Sequence, residues 1–421
     1  MDKLIYTVWL SLSCTAGLET FSKLLSNFPS PEIVYEADAE SIASCIGTRS
    51  RDYNLLIDKD LAKAERVLDF CKRKNIGILT YFDDNFPNSL REIKNPPVLL
   101  YYRGVLPDFN SDTFIAIVGT RLLSEYGKKN TFSVSSDLAK SGAVIVSGMA
   151  TGIDGVAHAG ALAVGGKTVA ILGSGIDVCY PIQHRKLAQN IVKNCCVMTE
   201  YAPGTRPNKH NFPIRNRLIS GISAATILIE GRERSGALIT ARRALEQNRQ
   251  VYALPGNVGN ANSEASNLII KNGAKLFTCA DDVVRDFDKI SPGKLNPFAL
   301  TTSSGVDMES VLAELSVSAK VRRFDKSRST KSEDNIPCSK MIQEEPSAKT
   351  EEASRHEKEL SNLDKITSSL YKKIPANKDC SVEDLIDESH TLRDVMQCLI
   401  KLEISGLIVM LPGDRVQRNL K

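Results

Sequence analysis

Between Lys209 and Gly221 the chain reads Lys-His-Asn-Phe-Pro-Ile-Arg-Asn-Arg-Leu-Ile-Ser-Gly, which sets an aromatic ring beside fixed cations and an amide. Ammonium and guanidinium groups neutralise phosphates, an aromatic face stacks on a base, and an amide hydrogen-bonds a base edge. Lys209, Phe212, Arg215, Asn216 and Arg217 therefore have the chemistry of a single-stranded nucleic-acid site. The competing reading of the same residues is a loop whose Phe212 packs into the core while its arginines are solvated.

Further upstream, Gly119-Thr120-Arg121 follows an apolar run and precedes a helical stretch, where backbone N–H groups and a cation suit a phosphate. Ser147-Gly148 stands equivalently after the next apolar run; small residues there either let a ligand approach the backbone or simply make a tight turn. Asp154 and His158 lie four apart and suggest an acid/base pair. No nucleophile or second carboxylate accompanies them, so a helix-start acid and a structural histidine are expected. Gly165-Gly-Lys-Thr168 ends like a phosphate loop, but Ala161 stands where that loop needs its first glycine. Gly173-Ser-Gly175 begins like a dinucleotide fingerprint, yet Val178 occupies the third glycine position. No cofactor is expected from either. Ser235-Gly-Ala-Leu-Ile-Thr240 reads as a capped helix start and is the best foothold for an enzyme acting on nucleotides.

The elements that must position these residues follow from pattern. Phe114–Val118, Ala143–Val146, Thr168–Leu172, Cys196–Thr199, Ala225–Ile229 and Val251–Leu254 are short, β-branched and apolar on both faces, as a covered parallel sheet requires. They alternate with helical stretches, which predicts an α/β class, a Rossmann-like doubly wound, mostly parallel sheet over residues 110–288 with ligands at the strands' carboxyl ends. Residues 1–105 read as short helices. Residues 289–361 are polar and rich in Ser, Lys and Glu and read as a disordered linker, with a helical turn conceivable at 311–315. Residues 363–421 regain helical spacing and end on an apolar strand, a winged-helix pattern. Its expected recognition helix sets Arg393 and Lys401 against Asp394 and Glu403, so partner docking is preferred to DNA reading.

At 421 residues the chain exceeds one ordinary core. Its net charge of +4 does not announce a nucleic-acid binder, but residues 200–250 hold nine Lys and Arg against four acids, a local surplus larger than the whole chain's. Ten scattered cysteines form no zinc or disulfide pattern, which fits a reducing cytoplasm. The apolar start, Leu4–Cys14, is too short to span a membrane and reads as a first helix.

Six segments occur in one order: Ile117–Arg121, Ile145–Asp154 with His158, Gly173–Asp177 followed by Tyr180-Pro181, Phe212–Arg217, Ser235–Thr240 and Leu254–Gly256. Together they resemble the DprA/Smf family, the DNA-processing protein A of bacteria. The resemblance implies a non-catalytic protein that binds single-stranded DNA, protects it during natural transformation and loads the RecA recombinase onto it as a homodimer. It implies a helix-hairpin-helix or sterile-alpha-motif-like N-terminal module, although Gly17 lacks the second glycine of such hairpins, so a packing role is expected. The DNA-contacting set it points to is Gly119, Arg121, Ser147, Gly148, Lys209, Phe212, Arg215, Asn216 and Arg217. The alternatives are a nucleotide-processing enzyme, such as a nucleoside-phosphate hydrolase using the same cleft, and an adaptor acting through the C-terminal tail.

Overall fold

The computed structural model describes residues 3–301, 305–317 and 319 and, toward the C-terminus, 365–375, 380, 381, 383–385, 395, 398, 399, 402, 407–411 and 415–418. These fall into two compact units, residues 1–327 and 328–421.

The first unit begins with α1 (Leu4–Ser13), α2 (Thr20–Leu25), α3 (Pro31–Glu36), α4 (Ala39–Ile46), α5 (Tyr53–Ile57) and α6 (Ala62–Arg73). There follow β1 (Gly77–Thr80), α7 (Asn88–Arg91) and β2 (Leu99–Gly104). The alternating part runs β3 (Thr113–Val118), α8 (Glu125–Lys140), β4 (Ala143–Ser147), α9 (Ile153–Ala163), β5 (Thr168–Ile171), α10 (Arg185–Asn194) and β6 (Cys196–Thr199). It continues with α11 (Asn211–Ile222), β7 (Ala225–Leu228), α12 (Gly236–Glu246), β8 (Gln250–Ala253), α13 (Glu264–Lys271), β9 (Lys275–Leu276) and α14 (Ala280–Ile290).

One sheet orders these strands β1-β2-β6-β5-β4-β3-β7-β8-β9. The strands from β6 through β9 pair in parallel, while β2 joins β6, and β1 joins β2, antiparallel. From β3 the chain moves outward through β4, β5 and β6, then returns to the other side of β3 through β7, β8 and β9. Loops leaving β3 and β7 therefore diverge, and the crevice they open is the expected ligand position in a doubly wound sheet.

Successive strand residues face opposite sides, which is why the strands are apolar throughout. Ile115, Ile117, Ile145, Ala170 and Val197 enter one core with α8, α9 and α10. Phe114, Ala116, Val144, Val146, Val169 and Ile171 enter the other with α11, α12 and α13. Two boundaries differ from expectation. Residues 77–104, expected to be helical, supply the two antiparallel edge strands, and Ile5, Val8 and Trp9 of α1 share the first core. Residues 291–301 and 305–317, expected to open a linker, instead close over that same core: α15 (Met308–Glu314) follows a 3-10 turn, and Leu295, Leu312 and Leu315 are buried. Backbone and charge fix the strap as well, since the Asn296 N–H donates to the Ser141 carbonyl at 2.9 Å and Lys128 pairs with Glu309 at 2.5 Å. Gly17 has φ +79°, and a Cβ on it would lie 2.7 Å from Ile214 Cγ2 on α11.

The second unit contains α16 (Lys365–Lys373) and a three-stranded antiparallel sheet of β10 (Cys380–Ser381), β11 (Ile408–Leu411) and β12 (Arg415–Arg418), with β12 central. Leu370, Ile374, Leu385, Val395, Leu399, Leu402 and Val416 form its own core. The expected terminal strand is β11. Arg393, Asp394, Lys401 and Glu403 lie outside the described residues.

Candidate nucleic-acid interface

A cleft of about 670 Å³ opens at the carboxyl ends of β3, β4 and β7. One wall is α11. Its Pro213 sits in the first turn, where a missing N–H costs nothing, and the helix presents Phe212, Arg215, Asn216 and Ile219 to the cleft. This i, i+3, i+4, i+7 spacing is one helical face.

Phe212 is half-buried. Its ring lies against Gly173, where a Cβ would come within 2.8 Å, and 5.5 Å from the Tyr180 ring at an interplanar angle of 34°. The Arg121 guanidinium stands over it, 5.5 Å from the centroid. The ring thus supports the arginine at cation–π distance, a shelf beneath the rim, and guanidinium planes stack on bases as aromatic rings do. The loop bearing Arg121 is held from below by Glu230, a residue 3% exposed at the end of β7. The Thr120 N–H donates to the Glu230 carbonyl at 2.8 Å, and the Ser124 N–H to its carboxylate at 3.0 Å. The Ser124 hydroxyl donates to that carboxylate too, and Asn262 Nδ2 donates to the Leu122 carbonyl at 3.0 Å. Ser124 in turn caps α8 by accepting from the Gly127 N–H at 3.0 Å.

Arg215 is 4% exposed and aimed at the sheet. Its Nη1 donates to the Gly148 carbonyl at 2.8 Å and also to the Ile171 carbonyl, joining the ends of β4 and β5. Burial brings its pKa down to about 10, with Asp154 acting in the opposite direction. Gly148 is small for this guanidinium: a Cβ would lie 2.5 Å from Nη1. The expectation that Gly148 admits a ligand is therefore corrected to its admitting Arg215. Ser147 is also corrected, because its buried hydroxyl donates to the Ile117 carbonyl at 2.7 Å and does not reach the cleft. Gly119 does line the cleft, with Ile153 and the Glu230 carbonyl against its Cα.

Asn216 lines the cleft and donates to the Gly236 carbonyl at 3.3 Å, tying α11 to the start of α12. Lys209 stands exposed at the rim. Arg217, two residues beyond Arg215, faces away. It is 6% exposed and pairs with the equally buried Glu200 at 2.5 Å. Burial pushes the Glu200 carboxyl up despite that partner. The grouping of Arg217 with the other site residues is the correction that a helical reading of Phe212–Arg217 makes: i and i+5 do not share a face.

Several cleft residues lay outside the expected set, and three of them bear on its chemistry. Tyr180 backs Phe212, Arg232 is an exposed rim cation, and Asp154 lies on the floor at 8% exposure. Arg232 was visible only as part of the charge surplus around residues 200–250. Among the described residues none of Arg121, Lys209 or Arg232 forms an ion pair, so the rim offers three uncommitted cations. His158 does not join Asp154 there. It is fully buried, with Nδ1 2.7 Å from the Thr168 hydroxyl, and desolvation takes its pKa to about 3. Among the described residues no group of three or more His, Cys, Asp or Glu is placed to hold a metal, and no helix is long and apolar enough to cross a membrane.

Fold and site define a doubly wound α/β protein with a cationic, aromatic-walled cleft at the carboxyl ends of its parallel strands. Residues 77–288 match the family model described as DNA recombination-mediator protein A, and the chain belongs to that family. The match begins with β1, so the edge strands are part of the family domain. The chain is 42% identical over 220 residues to DNA processing protein DprA of Streptococcus pneumoniae, spanning 52% of this chain and 76% of the relative. It is 34% identical over 242 residues to DNA processing protein DprA of Bacillus subtilis, spanning 58% and 82%. The X-ray structure of DNA processing protein A from Streptococcus pneumoniae superposes with a TM-score of 0.60 at 34% identity, covering 68% of this chain and 98% of that one.

Proposed function

We propose that this protein binds single-stranded DNA in the strand-end cleft without chemically altering it, and acts in the cytoplasm as a homodimer that loads RecA onto the strand. The observation that carries the binding reading is the Arg121–Phe212 shelf set among three exposed cations without carboxylate partners among the described residues. Such a site stacks bases and neutralises phosphates of any single strand, whereas a duplex keeps its bases stacked on one another. A non-catalytic role is supported by His158, which hydrogen-bonds Thr168 in the interior and so does not stand beside Asp154 in the cleft. RecA loading and dimerisation rest on family membership; two linked sites would add avidity without new contacts.

The test is RecA filament formation on strands coated with single-strand-binding protein. The full chain should accelerate it, with ATP consumed only by RecA. Strand binding without acceleration, at any ratio to RecA, would reduce the reading to a plain DNA-binding protein. The helix start at Ser235-Gly236, which also borders the cleft, sustains the nucleotide-enzyme alternative. A mononucleotide held far more tightly than an oligonucleotide would select it.

A further inference from the structure

Asp154 lies on the floor of the cleft, 8% exposed, in the first turn of α9, where its charge partly offsets that of the buried Arg215 guanidinium. Part of its role is local: the Ala150 N–H donates to Oδ2 at 3.2 Å, and a first-turn acid favours the helix dipole. That bond leaves acceptor capacity, because a carboxylate offers about four lone-pair sites. The flanking arginines do not use it up. Among the described residues Asp154 forms no ion pair with Arg121 or Arg215, and Arg215 Nη1 is committed to the Gly148 and Ile171 carbonyls. Arg121 is held over Phe212.

Charge then sorts the strand. A phosphate on the floor meets the Asp154 carboxylate, while at the rim it meets Arg121, Lys209 and Arg232. Phosphates stay at the rim and the base turns inward, its face on the Arg121–Phe212 shelf and its edge toward Asp154. A carboxylate only accepts hydrogen bonds, so it discriminates among base edges by their donors. Guanine offers two adjacent donors, N1–H and N2–H₂. Adenine and cytosine set one amino group beside a ring acceptor, and thymine sets one N–H between two carbonyls; those acceptors repel the carboxylate.

We propose that Asp154 makes the cleft a guanine-preferring subsite within an otherwise sequence-tolerant single-strand site. The inference rests on the single-strand reading above and names the base that its floor selects.

The experiment uses the full chain and fluorescence anisotropy with dT oligonucleotides of about twelve residues, a length within single-strand site sizes. One central position is dG, dI, dA, dC or dT. Inosine keeps the guanine shape and N1–H but lacks the N2 amino group, so it removes one donor without changing stacking area. The dG strand should bind about fivefold or more tighter than the dI and dT strands, the lower end of discrimination by a bidentate contact. Asp154→Asn should abolish the dG over dI difference, and the wild-type comparison stands whether or not that variant folds. Equal affinity for dG and dI strands overturns the guanine assignment alone. No measurable binding to any of the strands overturns it together with the single-strand reading.

Discussion

On the cleft face of α11, Phe212 supports an exposed arginine from another loop, and Arg215 anchors the ends of two strands. On the back face of the same helix, Arg217 is sealed against Glu200 and shows nothing to solvent that a strand would meet. Three arginines thus have three different employments: Arg121 is available, Arg215 is structural beneath the cleft, and Arg217 is structural and remote from it. Residue type alone does not separate them. Burial and the direction of the helical face do, and the variants below take the two faces apart.

Arg217→Ala should have the largest effect, on stability. Removing one partner leaves the Glu200 carboxylate buried and unpaired, which costs about 3–5 kcal/mol. Chemical denaturation measures this, and strand affinity of the protein that remains folded should stay within a few-fold. A large affinity loss at unchanged stability would show that Arg217 reaches the strand after all. Arg121→Glu should do the reverse. It removes a charged contact of about 1.5–3 kcal/mol from binding and flattens the salt dependence by about 0.7 or more per lost phosphate contact, while leaving the denaturation midpoint in place.

Phe212→Ala should weaken single-strand binding by about 1–3 kcal/mol with the salt slope little changed, since it removes stacking and the support for Arg121 rather than a charge. Anisotropy titrations at several salt concentrations would separate the two variants. If Phe212→Ala instead unfolds the protein, the ring is a core residue.

The last effect is the smallest per unit of the variable. His158 has a folded pKa of about 3 against an ordinary 6.5, because it is buried neutral. The unfolded chain therefore takes up a proton in that window and the folded one does not, so stability falls on acidification. The loss is about 1.4 kcal/mol per pH unit between these two values. His184, whose Nδ1 lies 3.0 Å from the Met149 carbonyl, is shifted the same way by burial and steepens the fall. Denaturation at pH 4, 5 and 6 checks the slope, and His158→Gln should reduce it. An unchanged slope in that variant would place the acid sensitivity elsewhere.

How much of this is legible in the sequence depends on locality. The six central parallel strands are, because both faces of each are apolar and each run is bounded by a turn. The edge strands are not: β1 and β2 gain their identity by pairing antiparallel with each other and with β6, almost a hundred residues away for β2, and β9 is two residues long. The strap over 291–301 and 305–317 is missed because it runs into a long Ser-, Lys- and Glu-rich stretch; its buried Leu312 and Leu315 fall in the helical turn conceivable at 311–315, while Leu295 stands in no pattern of its own. Within the site, Arg121, Lys209, Phe212 and Asn216 are found from residue chemistry alone. Glu230 is not, and Asp154 and Tyr180 stand out only as an acid/base candidate and a motif residue; what brings them together is the meeting of loops after β5, β7 and β4. Arg217 is misassigned for a reason the sequence does contain. Read at 3.6 residues per turn, Phe212, Arg215, Asn216 and Ile219 fall on one face and Arg217 does not.

The central claim is that the strand-end cleft recognises single strands. It is tested most directly by equilibrium binding of the full chain to a dT oligonucleotide and to a duplex of the same length at matched salt, with Arg121→Glu measured alongside. The account predicts tighter binding of the single strand, a log–log salt slope near −2 for the three rim cations at about −0.7 each, and loss of the preference in Arg121→Glu. Equal affinity for the two forms, or a preference that Arg121→Glu leaves intact, would contradict it.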